Sequence, residues 1–258
     1  MIESEKIKKT KINRLIQTTP RGLVMLSACL ASQGYPYELQ QRYRKGGWLK
    51  SIGKGAMIKT GDSPVLSGAI SALQKQANHD IHIGGRSALD LSGAAHYLQV
   101  NSKEITLFTE NKSSLPLWFT DNHWDIKPKI FNASLFREDK TGLTVYKDGE
   151  LTMNISGVAR AMMECLSLCP NHFPLTEAYE LMEGLVTLRP AQAQMLLEQC
   201  KSVKVKRLFL YLAERVDHRW LKYIDFQSID LGSGVRSLVN EGSYIPKYKL
   251  VLPKELVL

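Results

Sequence analysis

Tyr37-Glu38-Leu39-Gln40-Gln41-Arg42-Tyr43-Arg44-Lys45-Gly46-Gly47-Trp48-Leu49-Lys50-Ser51-Ile52-Gly53-Lys54-Gly55-Ala56-Met57-Ile58-Lys59 encodes a helix, a stop and a hairpin in succession. The helix begins near Pro36, and Leu39 and Tyr43, four positions apart, share its inward face. Gly46-Gly47 ends it. Two β-prone runs then flank Gly53-Lys54-Gly55, which has the small, positive-φ-tolerant residues of a tight hairpin turn. Upstream, Ile12, Leu15 and Ile16 stand at i, i+3 and i+4 and predict a helix over about Glu5 to Thr18. Thr19-Pro20 resembles a cap followed by proline at the first helical position. A second helix is therefore expected from there, with Leu23, Leu26, Ala28 and Leu30 inside and Gly34 at its end. Three short helices and a hairpin predict a winged helix-turn-helix over residues 1–62.

The outer faces of the third helix carry Tyr37, Gln40, Gln41, Arg42, Arg44 and Lys45, and the hairpin offers Lys50 and Lys54. Arginine and lysine suit phosphate or guanine, and glutamine amides suit adenine, so this set has the chemistry of major-groove reading. Charge distribution agrees. Residues 1–60 hold 12 Lys and Arg against 3 Asp and Glu, residues 61–200 hold 11 against 16, and residues 201–258 hold 11 against 6. The amino-terminal module thus equals the whole chain's net charge of +9, which points to a polyanion. A winged helix that binds protein would show a polar face too, but here charge, amides and wing coincide.

The chain has 258 residues, 44% hydrophobic and 23% charged, enough apolar surface to fold, and a second domain is expected over residues 63–258. No apolar run is long enough to span a membrane and the start has no secretory leader, so a cytoplasmic location is expected. Cys29, Cys165, Cys169 and Cys200 are too scattered for a disulfide scaffold and read as reduced. After a connector at Asp62-Ser63-Pro64, a helix is expected from Pro64 to Ala77 with Leu66, Ile70 and Leu73 inward. A short strand near Ile81 to Ile83 and a helix follow. Strands are expected at Ile105 to Thr109, Leu117 to Phe119, Lys129 to Phe131 and Leu143 to Tyr146, with a turn at Asp148-Gly149. Helices are expected at Ser156 to Cys169, Thr176 to Leu188, Pro190 to Cys200 and Val205 to Arg215. Strands followed by a helical block make the fold class α+β: a winged helix-turn-helix plus a larger mixed α/β domain.

Chemistry-bearing clusters are sparse. Cys165, Cys169 and His172 lack a fourth zinc ligand, and two helix cysteines on one face read as core. His79 and His82 have no cysteine and only Asp80 close in sequence, and read as a turn or surface pair. Gly84-Gly85 lacks the spacing of a nucleotide loop and reads as a tight turn. His96 sits in Ala-His-Tyr-Leu, where a hydrogen-bonded histidine is the plainer reading than a general base. Gly232-Ser233-Gly234 lacks a nucleophile elbow. Glu138-Asp139 and the Asp148, Glu150 pair flank lysine-rich turns and read as solvated. No catalytic residue, cofactor or metal is expected.

Gly47-Trp48-Leu49 with Ile52-Gly53-Lys54-Gly55-Ala56 resembles the wing of the AbiEi-type antitoxins of bacterial type IV toxin-antitoxin systems. Met57 stands where that family more often has an aromatic. The resemblance continues through Gly84-Gly85-Arg86-Ser87-Ala88-Leu89-Asp90-Leu91, His96-Tyr97-Leu98, Lys206-Arg207-Leu208-Phe209-Leu210, Ala213-Glu214-Arg215, Asp230-Leu231-Gly232-Ser233-Gly234, Tyr248 and Pro253. Val235-Arg236 replaces an expected basic pair. This resemblance implies a non-enzymatic antitoxin and autorepressor. Its DNA would be inverted repeats in its own promoter, and its functional partner a nucleotidyltransferase-like toxin with which it forms no stable complex. A transcription factor outside a toxin pair, or a nucleic-acid-processing enzyme docked by a winged helix, are the competing readings. Within the larger domain, Lys204, Lys206 and Arg207 lie on a helix whose Leu208, Leu210, Tyr211 and Leu212 supply core contacts, so the cations are expected to form an exposed antitoxicity patch.

Overall fold

The Thr10 hydroxyl accepts the Asn13 N–H at 3.4 Å and caps helix α1 (Lys11–Thr18), whose buried Leu15 starts the first core. The computed structural model describes residues 10–94, 104–132 and 134–256, which form two compact units. One unit comprises the chain through Ile81 together with Asn111–Pro128 and Val145–Met153. The other comprises His82–Glu110, Lys129–Thr144 and the chain from Asn154. The boundary expected after residue 62 is therefore drawn differently, with later segments returning to the amino-terminal unit.

In that first unit, β1 (Met25–Leu26), α2 (Ser27–Ser32), α3 (Tyr37–Lys45), β2 (Leu49–Gly53) and β3 (Ala56–Lys59) follow α1. The sheet order is β1-β3-β2, all antiparallel, with Met25 opposite Met57 and Ser51 opposite Met57 on the other side. A turn after Pro20 and then strand β1 thus replace the first part of the expected second helix, and α2 begins only at Ser27. Thr19 is the C-cap residue of α1, and Met25-Leu26 gain more from closing a three-stranded sheet than from lengthening α2. Leu15, Met25, Leu30, Leu49 and Met57 form one buried cluster, with Ile12, Ile16, Tyr35 and Tyr43 against it. At about 1.5–3 kcal/mol for each fully buried large side chain, this cluster is what holds helices and wing as one module.

Helix α4 (Leu66–Gln76) belongs to this unit because it seals the module. Leu66, Ile70 and Leu73 are buried as expected, and a Cβ on Gly68 would lie 2.0 Å from the Gly22 carbonyl oxygen. Only glycine permits that approach. Gln76 accepts the Leu26 N–H at 2.8 Å and donates to the Val24 carbonyl at 2.7 Å, so α4 clamps the approach to β1 from both sides.

The remaining elements are β4 (His82–Ile83), α5 (Gly85–Leu91), β5 (Glu104–Thr109), α6 (Leu117–Thr120), β6 (Lys127–Asn132), β7 (Leu143–Asp148), β8 (Leu151–Ser156), α7 (Val158–Leu168), α8 (Leu175–Glu183), α9 (Pro190–Gln199), α10 (Val203–Arg215), β9 (Arg236–Ser237), β10 (Ser243–Ile245) and β11 (Leu250–Leu252). Five strands run in the order β6-β5-β4-β8-β7, with β4 antiparallel to β5 and parallel to β8. The fold class is α+β. Residues 117–119, expected as a strand, open a helical turn behind Pro116. Strand β8 and the small sheet β10-β11-β9 were not anticipated. The expected helix around His96, Tyr97 and Leu98 lies outside the described residues.

In the second unit α7 has eight of its eleven residues buried and α10 nine of thirteen. Helices buried on nearly every side must satisfy any charge they carry internally. Glu164 of α7 does so fully. Its Oε1 meets His82 Nε2 at 3.0 Å and accepts Arg160 Nε at 2.8 Å, while its Oε2 accepts the Ser156 hydroxyl at 2.7 Å and the Gly85 N–H at 2.9 Å. A Cβ on Gly84 would fall 2.2 Å from that oxygen. Gly84-Gly85 therefore cradles an anion, but an internal one, and His82 is a core residue whose acidic partner lies 82 positions away rather than a surface histidine.

Candidate nucleic-acid interface

Helix α3 has Glu38 in its first turn and Arg42, Arg44 and Lys45 in its last, a distribution that favours the helix through its dipole as well as presenting three cations together. Gly46 caps it, and the Trp48 N–H reaches back to the Tyr43 carbonyl at 2.9 Å, which sets the start of the wing. Tyr37, Gln41, Arg42, Arg44 and Lys45 are exposed on α3, and Lys50 and Lys54 are exposed on the hairpin. The α2 N-terminus is tied to the wing tip, Ser27 N–H donating to the Gly55 carbonyl at 2.8 Å. Helix α3 and the hairpin are thus fixed through the same short helix.

Gln40 does not belong to this surface. It is 1% exposed, and its amide nitrogen donates to the Ser27 carbonyl at 2.9 Å and the Tyr35 carbonyl at 2.7 Å. One position along a helix is a rotation of about 100°, so Gln40 and Gln41 part company: the first fastens α3 to α2, the second faces solvent. Trp48, at the start of the wing, is half exposed and joins this face. An aromatic directly after Gly46-Gly47, beside outward Lys50, was the available signal.

The expected patch at Lys204, Lys206 and Arg207 does not exist as an exposed surface. Arg207 is 1% exposed, and its guanidinium donates to the Leu231, Gly232, Gly234 and Lys249 carbonyls at 2.6–3.1 Å. Lys206 is buried as well. Lys204 is half-buried and donates to the Ser167 and Cys169 carbonyls at 2.9 and 2.7 Å, capping the end of α7, and burial lowers its pKa. Lys204 and Arg207 thus organise backbone. The loop around Asp230-Leu231-Gly232-Ser233-Gly234 closes around Arg207.

Cys165 and Cys169 are buried, and burial pushes their thiols up, that of Cys169 to about 12, so both are protonated in the fold at neutral pH. His172 lies against the Phe131 ring at 5.4 Å. Among the described residues no three His, Cys, Asp or Glu side chains are grouped to hold a metal ion, and no helix is long and apolar enough to cross a membrane.

Two family models match. Residues 8–100 match the N-terminal domain of the AbiEi antitoxin transcriptional regulators, and residues 102–253 match the transcriptional regulator and AbiEi antitoxin of type IV toxin-antitoxin systems. The chain belongs to the AbiEi antitoxin family. Its role is accordingly that of an antitoxin and transcriptional regulator, a description that names no catalytic activity. Among solved structures, the AbiEi chain is similar to the RV2827C protein from Mycobacterium tuberculosis. The two share 14% sequence identity and a TM-score of 0.57, the match covering 93% of this chain and 89% of that one. This likeness shows the fold. A search of curated proteins finds no significant match.

Proposed function

We propose that the amino-terminal winged helix binds operator DNA, with α3 in the major groove and the β2–β3 hairpin on the adjacent backbone, and that the antitoxin represses its own promoter at inverted repeats. The observation that carries this reading is the exposed set Gln41, Arg42, Arg44 and Lys45 on one short helix, with Lys50 and Lys54 on the hairpin fixed to it. The larger domain then serves neutralisation. The partner is a nucleotidyltransferase-like toxin, countered without a stable complex, which the family membership supports.

Salt dependence of duplex binding tests the electrostatic core of the proposal. If about 6 phosphates are neutralised, the slope of log K against log salt is near −5, from roughly −0.9 per phosphate on B-DNA. A slope near zero for the full chain would remove DNA binding through this face.

A further inference from the structure

A cavity of about 600 Å³ opens in the amino-terminal unit, away from the exposed face of α3 in the sense that none of α3 or the wing lines it. Its lining mixes apolar and polar groups: Leu15, Met25 and Leu30 of the buried cluster border it beside Thr18, Gln33 and Ser71. Its rim is cationic. Lys11 and Arg14 come from the exposed side of α1 and Lys75 from the last turn of α4, while Glu150 is the one carboxylate among the lining residues. Lys11 donates to the Gly34 carbonyl at 3.2 Å and Lys75 to the Thr152 hydroxyl, both neutral acceptors. Among the described residues none of the three cations forms an ion pair.

Three cations against one carboxylate leave two net positive charges on the lining of a partly apolar hollow. An isolated surface lysine needs no counter-ion, but three cations lining one cavity with leucines and a methionine, at a volume ordinary for small-molecule sites, form a binding geometry. The charge matches a dianionic phosphate monoester better than a carboxylate, and arginine adds a two-pronged fork for its oxygens. The leucines and the methionine match an apolar or aromatic body. We propose that this cavity is a binding site for a small amphipathic phosphate monoester, its head held by Arg14, Lys75 and Lys11 and its body against Leu15, Met25 and Leu30. Neither the antitoxin role nor the DNA-reading face requires such a site.

Calorimetric titration of the full chain with 1-naphthyl phosphate, without DNA, tests the proposal. Saturable one-to-one binding is expected, with inorganic phosphate and 1-naphthol each at least about tenfold weaker, because each supplies one half of the complementarity. Arg14→Gln and Lys75→Gln should each weaken the probe about tenfold, the ordinary loss for one charge-assisted hydrogen bond. Lys54→Ala on the wing should leave it unchanged. Both rim positions are exposed, so the variants keep the fold, and thermal melts of each confirm that. No binding at millimolar probe, equal binding by inorganic phosphate, or loss on Lys54→Ala without loss on Arg14→Gln would overturn the site. The readout involves no DNA, so its failure is separate from failure of the operator-binding reading.

Discussion

Glu164 shows how a single carboxylate can be an ordinary charge in sequence and a structural centre in the fold. Burial alone would raise its pKa, but His82 and the Arg160 guanidinium overcome that and hold it at about 2, below its ordinary 4.5. A carboxyl depressed on folding stabilises the native state above its unfolded pKa, and that stabilisation is lost as pH falls through the folded one. Its share of stability is therefore intact at neutral pH and disappears between about 4.5 and 2, and the shift corresponds to about 3 kcal/mol. Glu164→Gln keeps the shape but removes the charge from Arg160 and His82. Urea titrations should show the variant less stable than the parent at pH 7, the gap narrowing through that acid window. A gap constant from pH 6 to pH 2.5 would show that the carboxylate's ionisation is not what stabilises the cluster. Arg207 makes the complementary point. Four carbonyls surround one guanidinium, so replacing it leaves several buried acceptors unpaired at once, a loss of packing and hydrogen bonding in the fold rather than of a recognition surface.

Elements with a clear period were legible, and those made by long-range pairing were not. The face of Leu66, Ile70 and Leu73 gave α4, and Gly46-Gly47 with Gly53-Lys54-Gly55 gave the end of α3 and the wing. Met25-Leu26 carry no strand signal of their own; their partners Met57 and Ala56 lie some thirty positions on, and only closure of the sheet decides their state. The same holds for the site. Arg42, Arg44 and Lys45 could be placed outward from the helix period, but Gln40 could not, because its fate depends on the Ser27 and Tyr35 carbonyls. Nor could Lys206 and Arg207, since a helix buried on nearly all sides has no outward face to give them. This division makes a prediction within α3. Gln41→Ala or Arg42→Ala should cost about 1–3 kcal/mol of operator binding and relax sequence preference, the signature of a base contact, while Lys54→Ala weakens all duplexes alike. Gln40→Ala should instead lower the melting temperature while leaving the ranking of duplexes unchanged in binding assays below that temperature. Altered ranking in Gln40→Ala, with none in Gln41→Ala and Arg42→Ala, would mean that α3 does not present the face described here.

At the scale of the whole molecule, the question is whether operator binding and antitoxicity can be taken apart. A cut after residue 62 is the obvious tool and the wrong one. It would remove α4 with its buried Leu66, Ile70 and Leu73, strip Gln76 from the Leu26 N–H and the Val24 carbonyl, and discard Asn111–Pro128 and Val145–Met153, which belong to the same compact unit. Because that unit is assembled from three stretches of chain, no single cut releases it, and a fragment's failure would report unfolding rather than function. Substitution on the exposed face avoids this. Arg42 and Arg44 are both exposed, so Arg42→Ala with Arg44→Ala in the full chain should leave stability within about 0.5 kcal/mol, the usual range for surface changes. If both reach DNA, operator affinity should fall about a hundredfold, or roughly 2–3 kcal/mol. Rescue must then be measured with toxin and antitoxin each expressed from an unrelated promoter, so that repression of the natural one plays no part. Under the proposed division of labour the double variant rescues growth as well as the parent does. Loss of rescue, with antitoxin levels shown to be equal, would place neutralisation on the DNA-reading face itself, because only that face has been changed.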